Sequence, residues 1–488
     1  MVTTTVFGLS TGLFINNKFI PAHGGHTLDT INPATGKHLA KVSAAQTEDV
    51  DSAVAAAQTA YVACWKRSPP QEKAKLLLRL AELIERDRDD LATLAAVDAG
   101  ALYADTQYGE IEQSIQQLRY YAGWSDKITG KLLDGRGEGL SFTSREPLGV
   151  CAAIVPWNAP LMIAIWKLAP AIAAGNVLII KTPELAPLCG QKLGELVCEA
   201  GFPPGIINII CGLGTIAGHA LAEHQGVSKI AFTGSTSVGR SIMRASANSN
   251  LKRISLELGG KGPSIVFGDA DLENALKWTI RGITLHNGQI CAAGSRILVH
   301  ESIYERFCRE FHQRSRDAVY GDPLLPATKK GPIISQAQLQ SILKSVEMGA
   351  RNGGHLLHGG KAIGEGGYFI ENTAFMGVDE DSIIARDEIF GPVAAISKFS
   401  TEEEAVARAN RTIYGLSAAV FTSSIDTAVR VTAAMESGHV TVNAWGMLSA
   451  DAPFGGYKQS GFGRDGGEEA LESWTTVKTV KYSISAST

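Results

Sequence analysis

Short, unbroken apolar runs that alternate with helical stretches constrain this chain more than any other feature. Residues 150–155, 177–180, 206–210, 229–232 and 254–256 are of strand length and rich in β-branched side chains. A strand that is apolar on both faces must be covered on both. Helices between successive strands supply that cover, so the pattern predicts a parallel sheet in an α/β domain. After Gly259 the alternation resumes at 264–267, 296–299 and 394–398, which predicts a second α/β domain. A chain of 488 residues has room for both. Ahead of them, 49–63 and 71–96 repeat apolar residues at helical spacing. Leu76, Leu77, Leu80, Leu83 and Ile84 read as core, and Ser68 before Pro69-Pro70 reads as a helix N-cap.

Two segments fit neither domain. Residues 131–145 are polar and Gly-rich, and 475–484 place Val480, Tyr482 and Ile484 on one face at period two. A strand needs a partner, so both read as an arm that pairs with another subunit.

Composition excludes several classes of function. Lys and Arg number 45 against 49 Asp and Glu, a net charge of −4, which leaves no electrostatic footprint for nucleic acid or an anionic membrane. The longest apolar stretch, 159–180, is interrupted by Lys167, Pro170, Gly175 and Asn176, so no membrane span is expected. Seven cysteines, with no CxxC pair, imply a reducing compartment. The first basic residue is Lys18 and the first arginine Arg67, unlike a secretory or mitochondrial leader, and a cytoplasmic protein is expected. The eleven histidines include no HExxH, and His355 and His358 read as part of a surface loop, so no metal site is expected.

Four stretches carry chemistry. Cys291 lies between Gly288 and Gly294 among small residues that leave its sulfur uncrowded, as a nucleophile requires. Glu257 ends an apolar strand, where burial raises a carboxyl toward the range of a general base; an ion pair with Lys261 is the alternative. Asn158, bracketed by Pro156 and Pro160, can aim its amide as an oxyanion donor, or it can simply fill a turn. Lys181 and Glu184 close the strand 177–180 at the position where open α/β sheets bind ligands, and a carboxylate there accepts ribose hydroxyls and repels a 2′-phosphate. Gly234 and Ser235 then open a helix suited to a pyrophosphate, although this is not the GxGxxG fingerprint.

In this order the stretches resemble the NAD(P)-dependent aldehyde dehydrogenase superfamily, from about Phe14 to Ile484. Glu388-Ile389-Phe390-Gly391-Pro392, Pro453-Phe454-Gly455-Gly456-Tyr457-Lys458 and Ser460-Gly461 extend the match. The resemblance implies a Rossmann-like cofactor domain (1–126 and 147–258), an α/β catalytic domain (259–470) and a small β oligomerisation arm (127–146 and 471–488). It implies Cys291 as nucleophile, Glu257 as general base, and Asn158 with the Cys291 backbone N–H as oxyanion hole. Lys181 and Glu184 are then the adenosine-ribose ligands, Ser235 a pyrophosphate ligand, and Glu388 and Phe390 neighbours of the nicotinamide ribose and ring. Pro156, Trp157, Gly234, Val238 and Leu258 complete the cofactor contacts, and Lys167 with Glu468 forms a proton path behind Glu257. NAD is the expected cofactor, with NADP possible, and a homodimer or homotetramer the expected assembly.

The same resemblance implies a substrate tunnel with three walls: Ala159, Met162, Ile163 and Trp166; Leu285, Ile290 and Ala292; and Trp445, Met447, Leu448 and Phe454. Ala159 and Leu285 stand where relatives acting on small aldehydes often carry aromatics, and 156–166 hold no charge, which points to a bulky, apolar, uncharged aldehyde. A CoA-acylating enzyme is one alternative, which a water-activating Glu257 argues against. A catalytically silent structural protein is another, which the intact trio of Cys291, Glu257 and Asn158 argues against.

Overall fold

The computed structural model describes residues 5–6, 8–134 and 139–483. Five of the apolar runs form the parallel centre of an eight-stranded sheet. Its order is Gly461–Phe462, Arg253–Glu257, Lys229–Thr233, Val150–Ile154, Val177–Thr182, Ile207–Cys211, Leu13–Ile15 and Lys18–Ile20. The central strands are buried along almost their whole length, which is why they lack the polar alternation of a half-exposed sheet. From Val150–Ile154 the chain adds two strands on one side and then returns to add two on the other. A crevice therefore opens between Val150–Ile154 and Lys229–Thr233, where such sheets take their ligands.

Helix Pro160–Ala173 is apolar on every face except at Lys167, because it is enclosed; Met162 is its one partly exposed residue. A seven-stranded sheet forms the second core, in the order His355–His358, Thr373–Met376, Val393–Phe399, Arg296–His300, Pro263–Val266, Ser417–Phe421 and His439–Val442. All its pairings are parallel except that of His355–His358. A third sheet joins Thr475–Tyr482, Leu140–Pro147 and Leu132–Leu133.

Several expectations need correction. The run 71–96 is two helices, Pro70–Arg86 and Arg88–Ala99, because Asp87 leaves helical geometry (φ −94°, ψ 23°) between them. Pro69 rather than Ser68 is the N-cap residue, and no side chain caps that end. His355 and His358 bound an edge strand instead of lying in a loop. Apart from these corrections, the two arm segments pair with each other within the chain along eight registered positions, from Thr475 opposite Pro147 to Tyr482 opposite Leu140. Ile484 and residues 135–138 of the expected arm lie outside the described residues.

Candidate active site

The strand ends at Thr233 and Glu257 and the turn at Asn158 meet the loop of Cys291 around a cavity of about 500 Å³. Asn158, Glu257 and Cys291 all line it.

The approach to Cys291 is a strained turn. His286, Asn287 and Gly288 follow one another at φ 46°, 52° and 67°, a left-handed run that each non-glycine residue adopts at a cost of about 1–3 kcal/mol. Buried hydrogen bonds hold it: Asn287 Nδ2 donates to the Gly331 carbonyl at 2.6 Å, and Gln289 Oε1 accepts from Ile334 N–H at 3.0 Å. Beyond the cysteine, the Ala292 carbonyl accepts from Trp445 Nε1 at 3.0 Å and Ser417 Oγ at 2.9 Å. Gly260 packs so closely against this loop that a Cβ there would sit 2.3 Å from the Cys291 carbonyl. The Cys291 loop is thus held from both sides. Burial, reinforced by the carboxylates of Glu388 and Glu257, pushes its thiol up to about 12, and the N–H groups of Ala292 and Cys291 only partly oppose this.

Asn158 Nδ2 donates to the Gln289 carbonyl at 2.8 Å. One amide hydrogen fixes the side chain beside the Cys291 loop, and the other has no acceptor among the described residues. The simple turn reading therefore leaves out its main contact. Both carboxyl oxygens of Glu257 are buried and have no hydrogen-bond partner among the described residues. Burial first, then the nearby Asp465 charge, raises its pKa well above the ordinary carboxyl value, against the pull of Lys167 and Arg464. No ion pair joins Glu257 to Lys261 among the described residues. Lys167 is paired with buried Asp465 and not with Glu468, which is exposed. The partner expected at 468 is thus supplied at 465, which pairs with Phe454: the two exchange backbone hydrogen bonds at 2.6 and 2.8 Å.

A second set of residues forms a cradle along the crevice. Lys181 Nζ donates to Glu184 Oε2 at 2.9 Å. Burial opposes ionisation of Glu184, but the Lys181 charge and hydrogen bond, with Gly214 N–H, outweigh it and hold the carboxyl below its usual range. Ser235 caps helix Thr236–Asn248, accepting from Val238 N–H at 3.4 Å, so positive helix-end amides face the crevice from just beyond Gly234. Glu388 Oε1 accepts from Gly260 N–H at 2.9 Å, next to Leu258, and burial raises it to about 7. A Cβ on Gly259 would lie 2.0 Å from Glu388 Oε2, so only glycine admits this carboxylate. Phe390, at φ 55°, meets the Trp157 ring edge-on at 5.4 Å, one residue after Pro156. Two carboxylates, a helix N-terminus and a pair of aromatic rings are the chemical types that suit a dinucleotide's hydroxyls, phosphates and ring. Among the described residues no group of three or more His, Cys, Asp or Glu could hold a metal.

All residues of the three expected tunnel walls line the cavity. Trp166 and Phe454 meet at 5.7 Å, and with Ala292 and Leu416 they form an apolar cluster against Cys291. A fourth wall was not expected. Segment 101–113 and its surroundings contribute Asp105, Glu110, Gln113 and, across the opening, Arg281. Glu110 Oε1 accepts from the N–H groups of Leu161 and Met162 at 3.1 and 3.2 Å, and burial raises this carboxyl to about 7. A π-type turn at Thr106–Glu110 delivers it. The sequence signal for this wall was a Glu110/Gln113 pair one helical turn apart at the start of helix Ile111–Ala122.

Comparison with known proteins agrees with this geometry. The model of the aldehyde dehydrogenase family matches residues 19–480. An aldehyde dehydrogenase of Davidiella tassiana is 47% identical, covering 96% of this chain and 95% of the relative. Retinal dehydrogenase 2 of Homo sapiens is 46% identical over 97% of this chain and 92% of its own length. The structure of an NAD⁺ complex of aldehyde dehydrogenase from Bacillus cereus superimposes with a TM-score of 0.97 at 40% identity, covering 99% of this chain and 98% of that one.

Proposed function

The chain belongs to the aldehyde dehydrogenase family, and on that premise we propose that it oxidises a bulky, apolar, uncharged aldehyde to the carboxylic acid at Cys291, with NAD as cofactor. The observation that carries the reading is the convergence of Cys291, a donor amide on Asn158 and an unpartnered carboxyl on Glu257 in one cavity. Lys181, Glu184, Ser235, Glu388 and Phe390, with the Pro156-Trp157, Gly234, Val238 and Leu258 backbone around them, would hold NAD, which when bound supplies the hydride acceptor. Glu184 favours NAD over NADP because a carboxylate at the ribose repels a 2′-phosphate.

The protein's own groups do the rest. Cys291 Sγ, its proton released to water, adds as the thiolate to the aldehyde carbon, and the oxygen that becomes an alkoxide is held by the second Asn158 amide hydrogen and the Cys291 N–H; one such donor is worth about 3 kcal/mol. Oxidation leaves a thioester. Glu257 then takes a proton from water, the hydroxide attacks the thioester carbon, and the C–S bond breaks to release acid and thiolate. With both oxygens enclosed, Glu257 must turn toward the cavity to reach that water. The Lys167–Asp465 pair behind it provides a route for the proton, the role first assigned to Lys167 and Glu468.

Ala159 and Leu285 keep the chamber wide, and a Cβ at Gly109 would meet nothing within 4 Å. The relative named retinal dehydrogenase supports a bulky substrate. We place the protein in the cytoplasm, since all seven cysteines are free and no helix among the described residues is long and apolar enough to cross a membrane. A homodimer or homotetramer would use the outer edge of strand Thr475–Tyr482, where Val477 and Tyr482 are exposed.

The test is NADH formation over an aldehyde panel, with NAD and NADP compared. Cys291→Ala should abolish turnover and Glu257→Gln should slow thioester breakdown; normal steady-state activity in the first variant refutes the assignment.

A further inference from the structure

Beside the chamber lies a second cavity, of about 630 Å³, and the two share Leu102, Asp105, Arg281, Leu285 and His286 as lining. Its remaining charged side chains are Lys277, Lys329 and Lys330, so four cations line it with one carboxylate, Asp105, in a chain whose net charge is −4. None of the four cations makes an ion pair among the described residues. Lys277 and Arg281 stand one turn apart on helix Leu272–Thr284, and Lys329 directly precedes Lys330 on another wall. Like charges so spaced on a helix repel, and no side chain of the fold neutralises them. Lys330 is half-buried, and its ammonium donates only to the Thr284 carbonyl at the end of that helix. Burial lowers it to about 8, with Asp105 and Arg281 acting in opposite directions. A cation drawn partly out of water beside a neutral partner is costly unless a counter-charge joins it.

The reaction makes such a counter-charge, since a neutral aldehyde enters and a carboxylate must leave. In the chamber that carboxylate meets the apolar walls of Met162, Trp166 and Phe454 and the carboxyl groups of Glu110 and Glu257. Past Leu285 and His286 it meets four cations less one carboxylate, a surplus of three positive charges. A concave site lined by one sign of charge concentrates the opposite ion. We propose that this second cavity is an anion site that takes the carboxylate product as it leaves the chamber. The proposal rests on aldehyde oxidation at Cys291 and adds where the acid goes. Lys277, Lys329 and Lys330 line this cavity and not the chamber, so they act on the acid and leave the aldehyde alone.

The probes are phenylalkanoates of increasing chain length and their uncharged amides, tested as inhibitors of NADH formation from the matching phenylalkanals. At the best length the wild type should be inhibited roughly tenfold more tightly by the acid than by the amide. Lys277→Gln combined with Lys329→Gln should bring the two within about twofold of each other, with kcat/KM for the aldehyde within about twofold of wild type. Should that variant fail to fold, salt reads the same contact in the wild type: the acid's advantage should fall towards unity between roughly 0.05 and 0.5 M, while inhibition by the amide holds steady. Equal inhibition by acid and amide in the wild type at every length overturns the proposal, as does an acid preference that survives both the double substitution and high salt. Inorganic phosphate that inhibits as tightly as the acid, through the same two lysines, overturns it as well, because the site then takes a free anion and not the product. These results leave aldehyde oxidation intact, whereas no NADH from any aldehyde in the wild type overturns both the proposal and the reading beneath it.

Discussion

Gly259→Ala is a perturbation whose consequences can be worked out atom by atom. The new Cβ would lie 2.0 Å from Glu388 Oε2, 2.7 Å from its Cδ and 3.0 Å from its Oε1. All three close atoms belong to one side chain, so the backbone need not move. Ordinary carbon contact begins near ~3.5 Å, so the carboxylate must retreat by about 1.5 Å. That displacement breaks its 2.9 Å hydrogen bond from Gly260 N–H and removes it from the proposed nicotinamide-ribose position. A hydrogen bond to a charged group contributes about 1.5–3 kcal/mol, and at about 1.4 kcal/mol per decade the loss corresponds to a roughly 10- to 150-fold weaker affinity for NAD. The assay is NAD titration by quenching of protein fluorescence, with thermal unfolding as a control that should shift by only a few degrees. An affinity within about twofold of wild type, with the fold intact, would show that Glu388 does not bind the cofactor.

Three further outcomes follow from the site's electrostatics. With its thiol raised to about 12, Cys291 in the cofactor-free protein should be alkylated by iodoacetamide at a rate that climbs about tenfold per pH unit above neutrality, and a flat profile contradicts the buried environment. Glu257 acts as a base only when ionised, so thioester breakdown rises with pH through its raised pKa. Lys167→Met removes a charge that lowers this pKa and should move the acid limb to higher pH; Asp465→Asn removes one that raises it and should move the limb down. Single-turnover rates across pH read both, and shifts of the same sign in the two variants refute the network. Asn158→Ala should lower kcat by roughly 10²- to 10³-fold with little change in NAD affinity, and a change confined to KM argues against an oxyanion role.

The strands were legible because each is enclosed on both faces and so wrote an unbroken apolar run into the sequence. The first sheet's five central strands begin and end within two residues of the expected positions. The candidate residues Lys181 and Glu257, at the ends of their strands, and Asn158, four residues past another, could be picked out for a related reason: a charged or amide side chain stands out where it interrupts apolar sequence. Asp87 was not legible, since a residue that bends a helix for one position leaves the 3.6-residue rhythm almost undisturbed. Asp465 was missed in favour of Glu468 because both are acidic and three apart, and only the backbone pairing of Phe454 with Asp465 distinguishes them. The wall of Glu110 was hidden for the opposite reason: polar residues on an amphipathic helix read as a solvent face until the cavity beside them is seen.

The active centre is assembled from pieces that synthesis delivers far apart. Lys167 waits for Asp465 across 298 residues, Gly259 for Ser460 across 201, and Tyr121 for Gly467 across 346. Closing such loops is entropically slow, so these contacts form late in folding. A nascent or refolding chain will therefore carry native-like secondary structure well before it has a competent thiol, and the return of turnover lags the return of ellipticity. Only molecules that have finished folding would give the Cys291 thiol its buried setting.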